Sequence, residues 1–103
     1  MNNLVYLSYP IQGHENEVFE HAKNMECSAL KLGLIPVSPL SINNQNKENI
    51  FKTKHLAAKF LGNDIYHLLN CDYIFMGKGW ENSKGCKLEY YVAMLYNKKI
   101  IYE

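Results

Sequence analysis

The sequence predicts a single α/β domain with a parallel sheet, and three observations carry that expectation. Short apolar runs alternate with segments of helical period, the order expected of βαβ units joined by right-handed crossovers. Loops containing Gly, Pro or Ser follow the first three apolar runs. The 103 residues, 48% of them hydrophobic, suffice for one core and not for two, so residues 1–103 are read as one domain.

The elements follow in order. Residues 4–7, "LVYL", form a short apolar run that "SYPIQG" ends with Pro10 and Gly13, which reads as a buried first strand. From Glu15 the period changes. Val18, Ala22, Met25, Ala29 and Leu32 recur at helical spacing, and Gly33 stands where a helix commonly stops. "LIPVSPL" predicts a second strand over 35–38, which Pro39 would end. The stretch 41–54, "SINNQNKENIFKTK", has no convincing period and reads as a loop, either a lid or a solvated connector.

Leu56, Phe60, Leu61, Ile65, Leu68 and Leu69 make a second helical stripe, with Asp64 in its C-terminal half or at a kink near Gly62. "DYIFM" is the third strand. The loop "GKGWENSKG" leads into a third helix over about 85–95, with Leu88, Val92 and Leu95 expected on its buried face, and "KKIIYE" closes as a fourth strand. In such sheets ligands bind beyond the carboxyl ends of the strands. Three polar loops therefore share one rim, and Glu89, one turn inside the third helix, stands beside them. An acid so placed is explained either by the helix dipole or by catalysis.

Composition narrows the chemistry. Eleven basic against ten acidic residues leave a net charge of +1, too weak a field to recruit a nucleic acid polymer or a membrane surface. All the basic residues are lysines, so an anion must be held without a guanidinium fork, by lysine, hydroxyl or backbone N–H groups. Cys27, Cys71 and Cys86 are odd in number and lack C-x-x-C spacing, which argues against a disulfide framework and for a reducing compartment. The N-terminal residues lack the basic and apolar regions of a signal peptide, and no run approaches a membrane span. A cytoplasmic location is expected. His14, His21, His55 and His67 show no metal-ligand spacing, "GKG" lacks the phosphate-loop frame, and the lysines between Lys47 and Lys59 read as solvated. No metal or cofactor is expected.

"VYLSYPIQG", "LGNDIYHLLNCDYIFM" and "GWENSKGCKLEYYVAMLYNKKIIYE" together resemble the nucleoside 2-deoxyribosyltransferase-like superfamily. Within it they are most similar to the small DUF4406-type members, which are related to the 2'-deoxynucleoside 5'-phosphate N-hydrolases. The resemblance covers nearly all of the chain outside the Asn/Lys-rich stretch. It implies a flavodoxin- or Rossmann-like three-layer sandwich with a four- to five-stranded parallel sheet, and chemistry at the N-glycosidic bond of a nucleoside or nucleotide.

By that resemblance Glu89 is the nucleophile toward C1′ of the sugar, and Asp64 a general acid or a sugar-orienting group. Ser83 and the Gly85 N–H match a contact to the 5′ end of the sugar or its phosphate, although Ser83 also suits a helix cap. Tyr6 matches an aromatic residue near the sugar, with core packing as its rival. Ser8, Ile11 and Gly13 match the turn lining the pocket. Trp80 has two readings, stacking on a base or packing at the sheet edge. A homo-oligomer is expected, because relatives complete their pockets across subunits and a four-stranded sheet leaves edges to cover.

The chain departs from the pattern at several places. Gln12 stands where the hydrolases carry arginine, Tyr9 where a glycine is usual, and Ser83 where the transferases carry an aspartate. Glu103 follows directly on the last strand, where the transferases continue into a tail that enters a neighbour's site. These departures motivate a second expectation, a nucleotide-binding module that kept the pocket and lost turnover.

Overall fold

The computed structural model describes residues 2–43 and 57–103. In chain order these form β1 (Leu4–Ser8), α1 (Val18–Lys31), β2 (Ile35–Val37), α2 (Pro39–Ile42), α3 (Ala57–Leu69), β3 (Tyr73–Met76), a 3-10 turn (Trp80–Asn82), α4 (Lys84–Leu95) and β4 (Lys99–Tyr102). The strands make one parallel sheet in the order β2-β1-β3-β4. The chain steps from β1 to one side for β2 and then to the other for β3. That reversal places a crevice beyond the carboxyl ends of β1 and β3, the usual ligand position in such sheets.

The expected α/β sandwich is thus present, with four strands among the described residues. Alternation along each strand divides the core in two, as a pleated strand must. Val5, Leu7 and Phe75 face α1, where Val18, Ala22, Met25 and Ala29 cover them. Tyr6, Ile74 and Met76 face the other way, against Leu68 of α3 and Cys86 and Ala93 of α4. Being covered on both faces, β1 and β3 need the near-continuous apolar composition that made them legible.

Two helices end in the same device. Gly33 has φ 77, and the Leu34 N–H returns to the Ala29 carbonyl while the Gly33 N–H returns to Leu30, the Schellman pattern. Asn97, with φ 57, ends α4 in the same way, through Lys98 to Ala93 and Asn97 to Met94. Each turn sends the chain straight into the next strand.

Two expectations gain detail and two need correction. Pro39 does more than stop a strand: it opens α2 as the first helical residue, where its missing N–H costs nothing. Asp64 lies in the C-terminal half of α3, the first of its two readings, and the helix runs unbroken through Gly62. Leu32, expected in the α1 stripe, is the exposed residue that ends α1. The buried face of α4 is Cys86, Glu89 and Ala93, whereas Leu88 and Leu95 face outward and Val92 is half-buried. Small side chains let α4 approach the sheet, and two hydroxyls on β1 require the acceptor that Glu89 supplies. Residues 44–56, which contain most of the expected loop together with Leu56, lie outside the described residues. Among the described residues no helix is long and apolar enough to cross a membrane.

Candidate functional site

The period of two in β1 turns Tyr6 and Ser8 toward α4, and both are fully buried there. The Tyr6 hydroxyl donates to Glu89 Oε2 at 2.6 Å, and the Ser8 hydroxyl donates to Glu89 Oε1 at 2.7 Å. Each carboxylate oxygen therefore has its own donor, and Glu89 is held in one orientation. Ser83 caps α4, its Oγ accepting from the Cys86 N–H at 3.3 Å, which places the first turn of the helix at the rim.

Asp64 arrives from α3 and is also buried. Asn43, just past α2, donates from Nδ2 to Asp64 Oδ1 at 2.8 Å, and Asn63 donates in turn to Asn43 Oδ1 at 2.8 Å. Both carboxyl groups border a cavity of about 490 Å³ whose walls come from the loop after β1, from Pro39, from α3 and from the start of α4. Tyr9, Ile11, Pro39, Phe60 and Leu61 supply its apolar part, and Gln12, Asn82, Ser83, Lys84 and Gly85 its polar rim.

Burial sets the protonation of this group. It pushes Glu89 up to about 8; the Tyr6 and Ser8 hydrogen bonds pull the other way, while the Asp64 charge adds to the rise. Burial likewise pushes Asp64 up to about 6, against the hydrogen bonds of Asn43 and Tyr6. Tyr6 lies far above the usual phenol range, through burial and then through the charges of Glu89 and Asp64. Cys86, raised to about 11 by burial, remains a thiol rather than a nucleophile at neutral pH.

A second set of contacts fixes the loop between β3 and α4. The Gly77 N–H donates to the Ser8 carbonyl at 2.7 Å, continuing the β1 and β3 ladder past its last pair. The Lys78 N–H donates to Glu103 Oε1 at 2.7 Å, and His21 Nε2 lies 2.7 Å from the same oxygen. The loop is thereby tied to β1, to α1 and to the residue after β4.

Of the residues picked from the sequence, Glu89, Asp64, Ile11, Ser83 and Gly85 line the cavity. Tyr6 and Ser8 stand behind Glu89, outside the lining, so their hydroxyls act on the carboxylate. Gly13, at φ 82, sits in an exposed turn apart from the lining. Trp80 stacks on Tyr90, with ring centroids 4.6 Å apart and planes at 27°, and lies 6.4 Å from the Tyr102 ring. That is the sheet-edge packing, and it takes Trp80 away from the cavity wall.

Sequence reasoning missed Tyr9, Pro39, Phe60, Leu61, Asn82, Lys84 and Cys86 as lining residues, and Asn43 as the partner of Asp64. A signal existed for two of them. Phe60 and Leu61 precede Asp64 by four and three residues, the spacing that shares a helix face. Tyr9 gave none, because its place depends on a hydroxyl 2.5 Å from Ser38 Oγ that also accepts from the Leu40 N–H at 3.1 Å. Among the described residues no three His, Cys, Asp or Glu side chains gather as a metal site.

A family model described as "Domain of unknown function (DUF4406)" matches residues 3–102. No curated protein matches the chain.

Proposed function

This chain belongs to the DUF4406 family, and we propose that it cleaves or transfers at the N-glycosidic bond of a nucleoside, deoxynucleoside or nucleoside 5′-monophosphate, with Glu89 as nucleophile. The observation that carries the reading is one carboxylate, each oxygen held by its own buried hydroxyl, bordering a rim cavity that a second buried carboxyl also borders. Bond cleavage at C1′ develops positive charge on the sugar and negative charge on the departing base. Glu89 answers the first by bonding to C1′. Asp64 answers the second by orienting the sugar, or by giving a proton to the base in the minority of molecules where its carboxyl, raised to about 6, carries one at neutral pH. Water then releases the sugar from Glu89, or a second base accepts it.

The remaining groups fit subsidiary roles. Ser83 and the Gly85 N–H, at the start of α4, face the 5′ end of the sugar or its phosphate, and Ile11 and the neighbouring apolar wall enclose the rest. Tyr6 and Ser8 position Glu89. The reaction needs no cofactor, and we place it in the cytoplasm, in a homo-oligomer. Incubating the protein with nucleosides and 5′-monophosphates, with and without an acceptor base, is expected to yield free or exchanged base by chromatography. Glu89→Ala should lower that yield by at least about a thousandfold. Equal yields from both proteins would sink the assignment.

One observation favours a second reading, a nucleotide-binding module without turnover. With its carboxyl raised to about 8, Glu89 is mostly protonated at neutral pH in the free site, and a neutral carboxyl is a weak nucleophile. Saturable binding of a nucleotide with no base release on long incubation identifies that reading. Lack of binding to any nucleotide rejects both.

A further inference from the structure

Helix α2 is a single turn of four residues, too short to hold its shape in water alone. Ser38 stands at its cap position, but the Ser38 side chain makes no capping bond to the helix. The cap comes from another element. The Tyr9 hydroxyl, buried just beyond the end of β1, accepts from the Leu40 N–H at 3.1 Å and pairs with Ser38 Oγ at 2.5 Å. One end of α2 is thereby fixed to the central strand, and Pro39 is set in the cavity wall.

At the other end the chain reaches Asn43, whose amide has one accepting and one donating side. Asn63 Nδ2 donates to Asn43 Oδ1 at 2.8 Å, so the amide can turn only its nitrogen toward Asp64, where Nδ2 donates to Oδ1 at 2.8 Å. We propose that Asn43 is the positioning residue for Asp64: it holds one carboxyl oxygen as an acceptor, so that any proton on Asp64 sits on Oδ2, and Tyr9, by capping α2, keeps that donor in place. The inference rests on the part given to Asp64 in the reaction above, and it explains why Asp64 offers the substrate one fixed oxygen.

The surroundings leave this role to Asn43. Among the described residues the titratable groups that face Asp64 are Tyr6 on β1, Tyr9 after it and Glu89 on α4, and Lys84 borders the same cavity. Tyr6 spends its proton on Glu89 at 2.6 Å, and Tyr9 is engaged with α2. Against the burial that raises Asp64, the Asn43 bond accordingly counts for more than that of Tyr6.

Carbon-13 NMR of the Asp64 carboxyl, followed against pH in the full chain, tests the role without any substrate. The wild-type signal should titrate at about 6. Asn43→Leu removes a donor that favours the ionised form, so the midpoint should rise by about one pH unit, a tenfold gain in proton affinity. Asn63→Ala leaves Asn43 in place but free to turn, and Tyr9→Phe removes the cap of α2; each should raise the midpoint by less. Tyr9→Phe combined with Asn43→Leu should move it no further than Asn43→Leu alone, because both act through one contact. A merely structural role would lower the Tm of these proteins and leave the midpoint where it is. Midpoints unmoved in both Asn43→Leu and Asn63→Ala would overturn the proposal. In base release, the limb of the pH profile that Asp64 governs should shift upward with the NMR midpoint. A wild-type protein that releases no base counts against the glycosidic reading alone, and the midpoints still decide the role of Asn43.

Discussion

Glu89 is a carboxyl that folding makes harder to ionise, and this gives it a signature apart from any substrate. Its folded value is about 8 and that of Asp64 about 6, whereas both titrate near pH 4 in an unfolded chain. Between those limits the folded protein binds more protons than the unfolded one. The stability these two groups contribute is therefore complete below about pH 4 and is lost as pH rises through 6 and then 8. Urea unfolding should show wild type weaker at pH 9 than at pH 5, and Glu89→Gln, which cannot ionise, should lose less over the same range. The difference should be on the order of a few kcal/mol. Identical pH dependence in the two proteins would mean that Glu89 is not buried as described. The sequence carried part of this: the acid, its position one turn into a helix and its place at the rim were all legible. Tyr6 and Ser8 were picked as candidates through the family resemblance, but their direction was not legible, because which face of β1 meets α4 is a tertiary fact.

At the level of elements, the loop between β3 and α4 depends on a glycine for lack of space. A Cβ on Gly77 would lie 2.8 Å from Met25 Sδ, 3.1 Å from His21 Cε1 and 3.1 Å from the Ser8 carbonyl oxygen. The two side chains can move, but the carbonyl belongs to the central strand. Gly77→Ala should cost about 1–3 kcal/mol in thermal or denaturant unfolding. It should also disturb Glu89, since the displaced residue is Ser8. Helix α4 shows where element-level reading stops. Its boundaries and cap could be read from Ser83 and the apolar run, yet its buried face could not, because leucines ordinarily mark the inside. The face is chosen by the β1 hydroxyls and by small side chains that bring the helix close. β1 and β3 were legible for the opposite reason: covered on both faces, they have no second pattern to offer. Gly62, a breaker by propensity, is simply absorbed by the helix around it.

Across the whole molecule, the rim is held by contacts between residues far apart in the chain. Glu103 accepts from the Lys78 N–H and pairs with His21 on α1. Against the burial that would raise it, these partners hold its carboxyl below the ordinary range. A lowered acid stabilises above its unfolded value and loses that contribution as pH falls below about 4. Glu103→Ala should therefore reduce stability by up to about 1 kcal/mol at pH 7 and by less at pH 3, a difference that paired unfolding curves can measure. Topology at this scale was well anticipated, since alternating elements leave few parallel arrangements. Pocket walls were anticipated poorly, because four separate segments meet there. The same geometry bears on how the protein is made. Tyr6 donates to a residue 83 positions later and Ser8 to one 81 positions later. A chain emerging from the ribosome shows its first strand long before α4 exists to receive it. Until then the two hydroxyls have no carboxylate and one face of β1 has only α3 to cover it. Translation that stalls before Glu89 leaves a fragment with neither the carboxyl that the two hydroxyls require nor a complete core.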